Sequence, residues 1–194
     1  KLQPTNPFTW ASGWKSPFYC DNRKTLSYPE LRNFVKIEIG RLIAERFPEA
    51  DAIAGVATGA IPQGALVADL LNLPFVYVRS KPKDHGLENL IEGELRPGMK
   101  VVVVEDLIST GGSSLKAVEA IRRDGCEVIG MVAAYTYGFP IAEKAFKDAK
   151  VPLVTLTNYE AVMEVALRTG YIEEEDVLTL NEWRKDPAHW EAGK

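Results

Sequence analysis

Apolar residues recur along this chain with two different spacings, which separate the predicted helices from the predicted strands. From Pro29 to Phe47 they repeat at helical spacing, and a proline suits the first turn of a helix. Short apolar runs then predict strands at 52–57, 75–78, 101–105, 128–135 and 152–156. Amphipathic segments predict further helices at 61–71, 113–123, 142–147 and 160–168.

The alternation of strands and helices predicts the fold class. The run from Val101 to Val104 is apolar at every position, which a strand needs when helices cover both faces of its sheet. A chain of 194 residues is long enough for one such domain with a full core. We therefore expect a single α/β domain over residues 1–194, with a central parallel sheet flanked by helices.

Three segments lie outside this alternation. Residues 1–28 are rich in proline, serine, asparagine and aromatic residues, which indicates an extended or hairpin-like lead-in. Residues 80–93 form a long polar insertion between strands, and such loops are usually functional lids or disordered. In the polar stretch after residue 168, Trp183 and Trp190 are expected to be packing or surface residues.

The charge balance limits what the chain is expected to bind. Its 23 basic and 27 acidic residues leave a net charge of -4, so no general positive field draws it to nucleic acid or to a membrane. A bound anion must therefore be held by local positive groups. The sequence has no apolar stretch of the roughly 20 residues that cross a bilayer and no signal-peptide pattern at its start. We expect a cytoplasmic protein.

The strongest chemical signal is the segment 101–114, VVVVEDLISTGGSS, in which a buried strand leads into Glu105 and Asp106. Ligands of open α/β sheets bind at the carboxyl ends of strands, where these two carboxylates lie. Because successive strand residues point to opposite faces, both carboxylates reach one ligand only if the chain leaves strand geometry here. We expect that departure, which would let both accept hydrogen bonds from ribose hydroxyls.

The turn that follows is suited to a phosphate group. Glycine lets the backbone approach a ligand closely, and backbone N–H groups together with hydroxyls can surround the phosphate oxygens. The amino terminus of the next helix adds a partial positive charge. An ordinary capped helix is the alternative, but paired acids before such a turn are more than capping requires. The predicted cradle consists of Ser109, Thr110, Gly111, Gly112 and Ser113.

This motif resembles the binding motif for phosphoribosyl pyrophosphate (PRPP) in type I phosphoribosyltransferases. It differs from the P-loop and from the dinucleotide fingerprint, because neither GxxxxGK[ST] nor GxGxxG is present. The resemblance implies the type I phosphoribosyltransferase fold with a small N-terminal hood. It also implies that residues 105–113, Leu107 and Ile108 included, contact PRPP.

The basic loop at residues 79–86, RSKPKDHG, is a second signal. A cluster of cations on a loop can close over a polyphosphate, although a lysine-rich loop by itself is usually solvated surface. The sequence resembles the catalytic loop of orotate phosphoribosyltransferases, although some members have a lysine at the position of Ser80. The resemblance implies a homodimer in which the loop at 80–93 reaches the neighbouring active site. It assigns PRPP contacts to Arg79, Lys81, Lys83 and His85, and catalysis to the last three with Asp106.

Residues 12–23, SGWKSPFYCDNR, resemble the substrate segment of the same family. A lysine and aromatic rings suit a planar anionic pyrimidine: Lys15 would supply charge, while Phe18 and Tyr19 would stack on the ring. Packing is the alternative role for these rings. The resemblance adds Thr110 to the orotate site and implies that Arg23 reaches a phosphate of PRPP.

The junction Gly55–Ala60, between a predicted strand and helix, is a weaker signal. The family uses the matching loop for pyrophosphate, which implies contacts from Thr58 and Gly59. A tight turn without a ligand explains the same residues. The chain also departs from the family: many members have an arginine for the substrate carboxylate where this sequence reads YTYGFP at 135–140. Lys15 is the nearest candidate to replace it.

The resemblance implies a reaction of orotate with PRPP that forms orotidine 5′-monophosphate and pyrophosphate, a step of pyrimidine biosynthesis. Mg²⁺ is expected on the substrate, with Asp106 and Glu105 in its outer shell. Two alternatives remain: a phosphoribosyltransferase for another nucleobase, and a PRPP-sensing regulator of transcription. The net charge of -4 argues against the regulator, which needs a basic face for nucleic acid.

Overall fold

The computed structural model describes residues 1–3, 6–10, 13–81 and 90–191. They form two compact units, one of residues 22–159 and the other of residues 1–21 with 160–194. Lys83 and His85, with most of the predicted catalytic loop, lie outside the described residues. Within the described ranges, none of the helices combines the length and the apolar composition that a membrane crossing requires.

The elements follow one another in nearly the predicted order. The strands are β1 Phe8–Thr9, β2 Lys15–Ser16, β3 Ala52–Val56, β4 Phe75–Val78, β5 Ile91–Glu92, β6 Lys100–Ile108, β7 Glu127–Thr136 and β8 Leu153–Asn158. The α-helices are α1 Pro29–Arg46, α2 Ile61–Leu71, α3 Gly112–Arg123, α4 Pro140–Asp148, α5 Tyr159–Arg168 and α6 Glu174–Lys185. A 3-10 helix spans Asn22–Ser27.

The larger unit is built on a six-stranded sheet in the order β5-β4-β3-β6-β7-β8. All neighbouring strands are parallel except β5, which pairs antiparallel with β4 at one edge. The predicted α/β class with a central, mostly parallel sheet is therefore confirmed. The antiparallel edge strand was not predicted, because two residues are too short to show a period.

Two apolar cores lie on opposite faces of this sheet, and β6 contributes to both. Val101 and Val103 pack in one core with residues of α3 and α4, whereas Val102 and Val104 pack in the other with residues of α1 and α2. All four valines are completely buried. Alternate strand residues point to opposite faces, so helices on both sides explain why every position in this run is apolar.

Two predictions about local structure were wrong, and one helix was not predicted. Strand β6 does not end at Glu105 but continues to Ile108, since it stays paired with β7 as far as Thr136. Part of the lead-in that was expected to be extended forms the 3-10 helix. The tail contains a further helix, α6, whose sequence is too polar to show an apolar stripe.

The smaller unit contains a hairpin, as the pattern of the lead-in predicted. Strands β1 and β2 pair antiparallel, with Phe8 opposite Ser16. Trp183 of α6 is completely buried, meets the ring of Trp10 edge-on at 5.8 Å, and donates a hydrogen bond from Nε1 to the carbonyl of Lys15 at 3.0 Å. The expectation of a packing role for Trp183 is confirmed. Whether residues 1–28 act as a hood stays a prediction.

The contact between α1 and β7 in the larger unit generates a test of the core. A Cβ added at Gly130 would lie 2.2 Å from Cζ of Phe47, the residue that caps α1. We expect Gly130→Ala to lower the free energy of unfolding by about 1–3 kcal/mol, because the packed ring has to move. Urea denaturation would measure the loss. Phe47→Leu should recover part of it in the double variant, and simply additive losses would contradict this contact.

Candidate active site

The loops that carry most predicted site residues follow strands ending at one edge of the sheet, which we call the carboxyl edge. The loop after β3 contains Thr58 and Gly59, the segment after β4 contains Arg79 and Lys81, and the turn after β6 spans residues 109–111. Because these strands are parallel, their carboxyl ends lie together. The larger unit therefore brings these residues to one edge, as expected, while their roles in binding stay predictions.

Glu105 is a buried carboxylate that is satisfied by the protein itself. Only 5% of the residue is exposed. It accepts a hydrogen bond from Ser114 Oγ of α3 at 2.7 Å and another from the backbone N–H of Asp106 at 3.0 Å. Burial, with a smaller contribution from the neighbouring charge of Asp106, raises the pKa of Glu105 well above its ordinary value. Glu105 thus fastens β6 to the first turn of α3.

Asp106, the next residue of β6, is partly exposed. Its Oδ1 accepts a hydrogen bond from the backbone N–H of Leu107 at 2.7 Å. Its Oδ2 lies against Gly59, where an added Cβ would come within 2.1 Å of that oxygen. Only glycine permits this approach. Although β6 continues through both residues, Glu105 and Asp106 interact through their side chains and line the same cavity, and the expectation that both reach one ligand stays a prediction.

The turn after Asp106 leads into a helix without a side-chain cap among the described residues. Gly111 has a φ of 82°, which favours glycine, and α3 begins directly after it. The first N–H groups of a helix have no carbonyl partner within it, so those of Gly112 and Ser113 can meet an anion. Both residues are exposed, while Ser109 and Thr110 are half-buried.

The two residues between Asp106 and this turn differ in how they can act. Leu107 is half-buried, whereas Ile108 is completely buried in the sheet. The side chain of Ile108 therefore belongs to the core. A contact between Ile108 and PRPP, as predicted, would have to come from its backbone.

The basic residues after β4 line an open pocket of about 560 Å³ at the carboxyl edge. Arg79 forms an ion pair with Glu92 of β5, with 3.4 Å between Nη1 and Oε1. Lys81 is exposed and lines the same pocket, as does Thr58. A bound phosphate would compete with Glu92 for the guanidinium of Arg79.

The residues predicted to bind orotate in the smaller unit differ in exposure. Lys15 is exposed, and its ammonium donates a hydrogen bond to Thr9 Oγ1 at 2.6 Å. Phe18 is only 7% exposed, which favours the packing alternative for this ring. Tyr19 is half-buried, with its ring 5.4 Å from that of Phe8. In the larger unit, Arg23 lies exposed on the 3-10 helix.

Aromatic packing occupies the position at which many family members have an arginine. Tyr135, Tyr137 and Phe139 are all buried. The rings of Tyr135 and Tyr137 meet edge-on with their centroids 5.0 Å apart. The rings of Tyr137 and Phe139 stack with their centroids 5.6 Å apart. This stretch therefore reinforces the end of β7 and contributes no cation, which leaves Lys15 as the candidate for the substrate carboxylate.

Three polar residues near Asp106 and Glu105 were not singled out from the sequence. Ser114 donates to Glu105, and Asn22 donates from Nδ2 to the backbone carbonyl of Asp106 at 2.8 Å. Gln63 is buried in the first turn of α2. Ser114 could have been found at the end of the motif, but the other two are remote in sequence and no local pattern connects them with Asp106.

Comparison with known proteins identifies the class of enzyme to which this chain belongs. Residues 29–168 match the family model described as the phosphoribosyl transferase domain. Orotate phosphoribosyltransferase of Bacteroides thetaiotaomicron is 91% identical over 194 residues, which cover all of this chain and 92% of the relative. The enzyme of that name from Phocaeicola vulgatus is 84% identical with the same coverage. The chain belongs to the orotate phosphoribosyltransferase family, and the resemblance drawn from its motifs is confirmed.

A solved structure agrees with this assignment. Orotate phosphoribosyltransferase from Aeropyrum pernix superimposes with a TM-score of 0.75 at 28% identity, over 87% of this chain and 92% of the other. The predicted type I phosphoribosyltransferase fold is thereby confirmed.

The buried Glu105 generates a prediction about stability and pH. Its pKa is raised in the folded protein, so the native state binds more protons than the unfolded state above the ordinary value of about 4.3. The stability that Glu105 contributes is complete below that value and is lost as pH rises through the folded pKa. We expect Glu105→Gln to match the parent in acid and to gain relative stability as pH rises. Denaturant titrations across pH would test this, and parallel curves would contradict it.

Proposed function

We propose that this protein transfers the phosphoribosyl group of PRPP to orotate, giving orotidine 5′-monophosphate and pyrophosphate. One observation carries the proposal: the partly exposed Asp106 lies near the end of β6, just before a turn whose helix begins without a side-chain cap. A carboxylate for ribose hydroxyls next to N–H groups for a 5′-phosphate fits a ribose 5-phosphate moiety. Orotate is proposed as the base because the relatives are named orotate phosphoribosyltransferases.

In this mechanism the protein acts by position and charge. The bond from the anomeric carbon to pyrophosphate breaks, and the orotate ring nitrogen, which can attack as an anion once its proton has passed to solvent, forms the new bond without needing a strong base. Asp106 orients the ribose, and the residues from Ser109 to Ser113 hold the 5′-phosphate. Arg79 and Lys81 lie in a separate pocket of the carboxyl edge, where they can take up the charge of the leaving pyrophosphate.

Glu105 has a different role from its neighbour. Since its carboxylate already accepts hydrogen bonds from Ser114 and from the backbone of Asp106, it acts by holding the phosphate turn against β6. This arrangement keeps the ribose and phosphate contacts at a constant separation. Preorganised contacts of this kind lower the cost of reaching the transition state.

Mg²⁺ is proposed to accompany PRPP. The described residues include no group of three or more histidine, cysteine or acidic side chains that would hold the ion alone, which fits a metal bound mainly by substrate oxygens. Bound there, Mg²⁺ would neutralise charge on the leaving pyrophosphate. Asp106 suits its outer shell because the carboxylate is partly exposed, whereas Glu105 is buried and its raised pKa disfavours the charged form.

The proposed reaction can be tested by ultraviolet absorbance. Orotate, PRPP and Mg²⁺ are mixed with the protein, and hypoxanthine, adenine and uracil are assayed in parallel. We expect the orotate band to disappear with one pyrophosphate formed per orotate consumed. Turnover of another base instead would overturn the proposed substrate, and PRPP binding without turnover of any base would overturn the enzyme assignment.

In the same assay, Lys83→Ala should lower kcat by about 100-fold while leaving the unfolding temperature unchanged, because a charge that stabilises the leaving group is lost. Lys144→Ala is the matched control, since Lys144 is an exposed lysine that pairs with Asp148 on α4. The Lys144→Ala variant should convert orotate at the rate of the parent protein. Equal rates for all three proteins would remove Lys83 from the proposed site.

We further propose that two copies associate through the exposed side of α1. Four large apolar residues lie along this helix and the residue before it, each more than half exposed: Tyr28, Leu31, Phe34 and Ile37. A contiguous apolar row of this kind is typical of an interaction surface. Because the family resemblance implies a homodimer, the proposed partner on this surface is a second copy of this chain.

Sedimentation equilibrium would test this association. Phe34→Glu places a charge in the middle of the row, so the parent should be a dimer and the variant a monomer. Leu178→Glu is the control, because Leu178 is equally exposed but lies on α6. A dimer that survives Phe34→Glu, or one that Leu178→Glu disrupts instead, would place the interface elsewhere.

A further inference from the structure

Gln63 is a buried polar residue to which neither the sequence motifs nor the mechanism assigns a role. It lies in the first turn of α2 and is 7% exposed. Within the described part of the chain, neither Nε2 nor Oε1 of its amide has a hydrogen-bonding partner. A buried amide without hydrogen bonds destabilises a protein, and such groups in native structures are usually satisfied by ordered water or a ligand.

Gln63 lines a small cavity in the larger unit. The cavity holds about 40 Å³ and lies between the 3-10 helix, α1, α2 and β6. A water molecule needs roughly 10–15 Å³ of such space and two or more polar partners. The cavity is therefore large enough for two or three waters. Its lining combines apolar residues such as Val35 and Ile39 with polar residues that include Arg23, Thr25 and Glu105.

The polar groups on this cavity connect Gln63 with the predicted ribose site. Asp106 lines the cavity, together with Gly59, which lies against its Oδ2. Asn22 also lines it and donates to the backbone carbonyl of Asp106. Gln63, Gly59 and Asn22 thus line the cavity beside Asp106 from three separate segments of the chain. Gly59 lies against the carboxylate of Asp106, and Asn22 bonds its backbone carbonyl.

We infer that Gln63 is a positioning residue, whose amide holds ordered water in this cavity and through that water fixes the carboxylate of Asp106 for the ribose hydroxyls of PRPP. The inference rests on the proposed function of Asp106. An amide suits this task because it donates and accepts at once, so it can order a water molecule without adding charge next to the carboxylate.

Gln63→Met tests the inference, because methionine keeps the length of the side chain and removes both hydrogen-bonding atoms. We expect the KM for PRPP to rise about tenfold with kcat within about twofold, since the contact orients bound substrate. The unfolding temperature should stay equal or rise, because a buried unsatisfied amide is removed. Gln63→Asn retains the amide and should recover part of the affinity.

Val67→Ala is the matched control, one turn further along the buried side of α2. It should lower the unfolding temperature by leaving a cavity and leave the KM for PRPP unchanged. An unchanged KM in Gln63→Met would overturn the inference, and so would equal KM increases in Gln63→Asn and Val67→Ala. A high-resolution crystal structure of the parent should show water bonded to Gln63, and a dry cavity would overturn it as well. If the parent itself turns over no base, the proposed function has failed instead.

Discussion

The arrangement of the site depends on the continued pairing of β6 with β7 beyond the two acidic residues. Because β6 stays paired as far as Ile108, Glu105 and Asp106 are both held within the carboxyl-terminal part of this strand. One carboxylate is thereby buried against Ser114 of α3, and the other is presented beside the loop that enters α2. A pair of adjacent acids in the sequence thus becomes one structural residue and one residue that is open to a ligand.

Close packing at the carboxyl edge then limits what can surround Asp106. Gly59 has no side chain because the carboxylate occupies the space that a Cβ would need. Asn22 of the 3-10 helix donates a hydrogen bond to the backbone carbonyl of Asp106. These contacts come from segments far apart in sequence, so the orientation of Asp106 is a property of the assembled larger unit. The proposed hydrated contact with Gln63 would complete this set.

A protein with a net charge of -4 has to bind its highly charged substrate through local groups. The amino terminus of α3 offers N–H groups, while Arg79 and Lys81 offer cations in a separate pocket. Arg79 is already paired with Glu92. A ligand must therefore compete with a carboxylate for this guanidinium, which favours polyphosphates over weaker anions.

The sequence alone determined the features that depend on neighbouring residues. Apolar periodicity located most strands and helices of the larger unit. The short motif at 101–114 predicted a type I phosphoribosyltransferase, and the segments 79–86 and 12–23 predicted the orotate family. Tertiary structure decided the features that depend on distant partners. Strand β5 exists because β4 pairs with it, helix α6 buries Trp183 against Trp10, and β6 extends to Ile108 because β7 pairs with it. Those interactions join residues too far apart in the chain for any local pattern to record them.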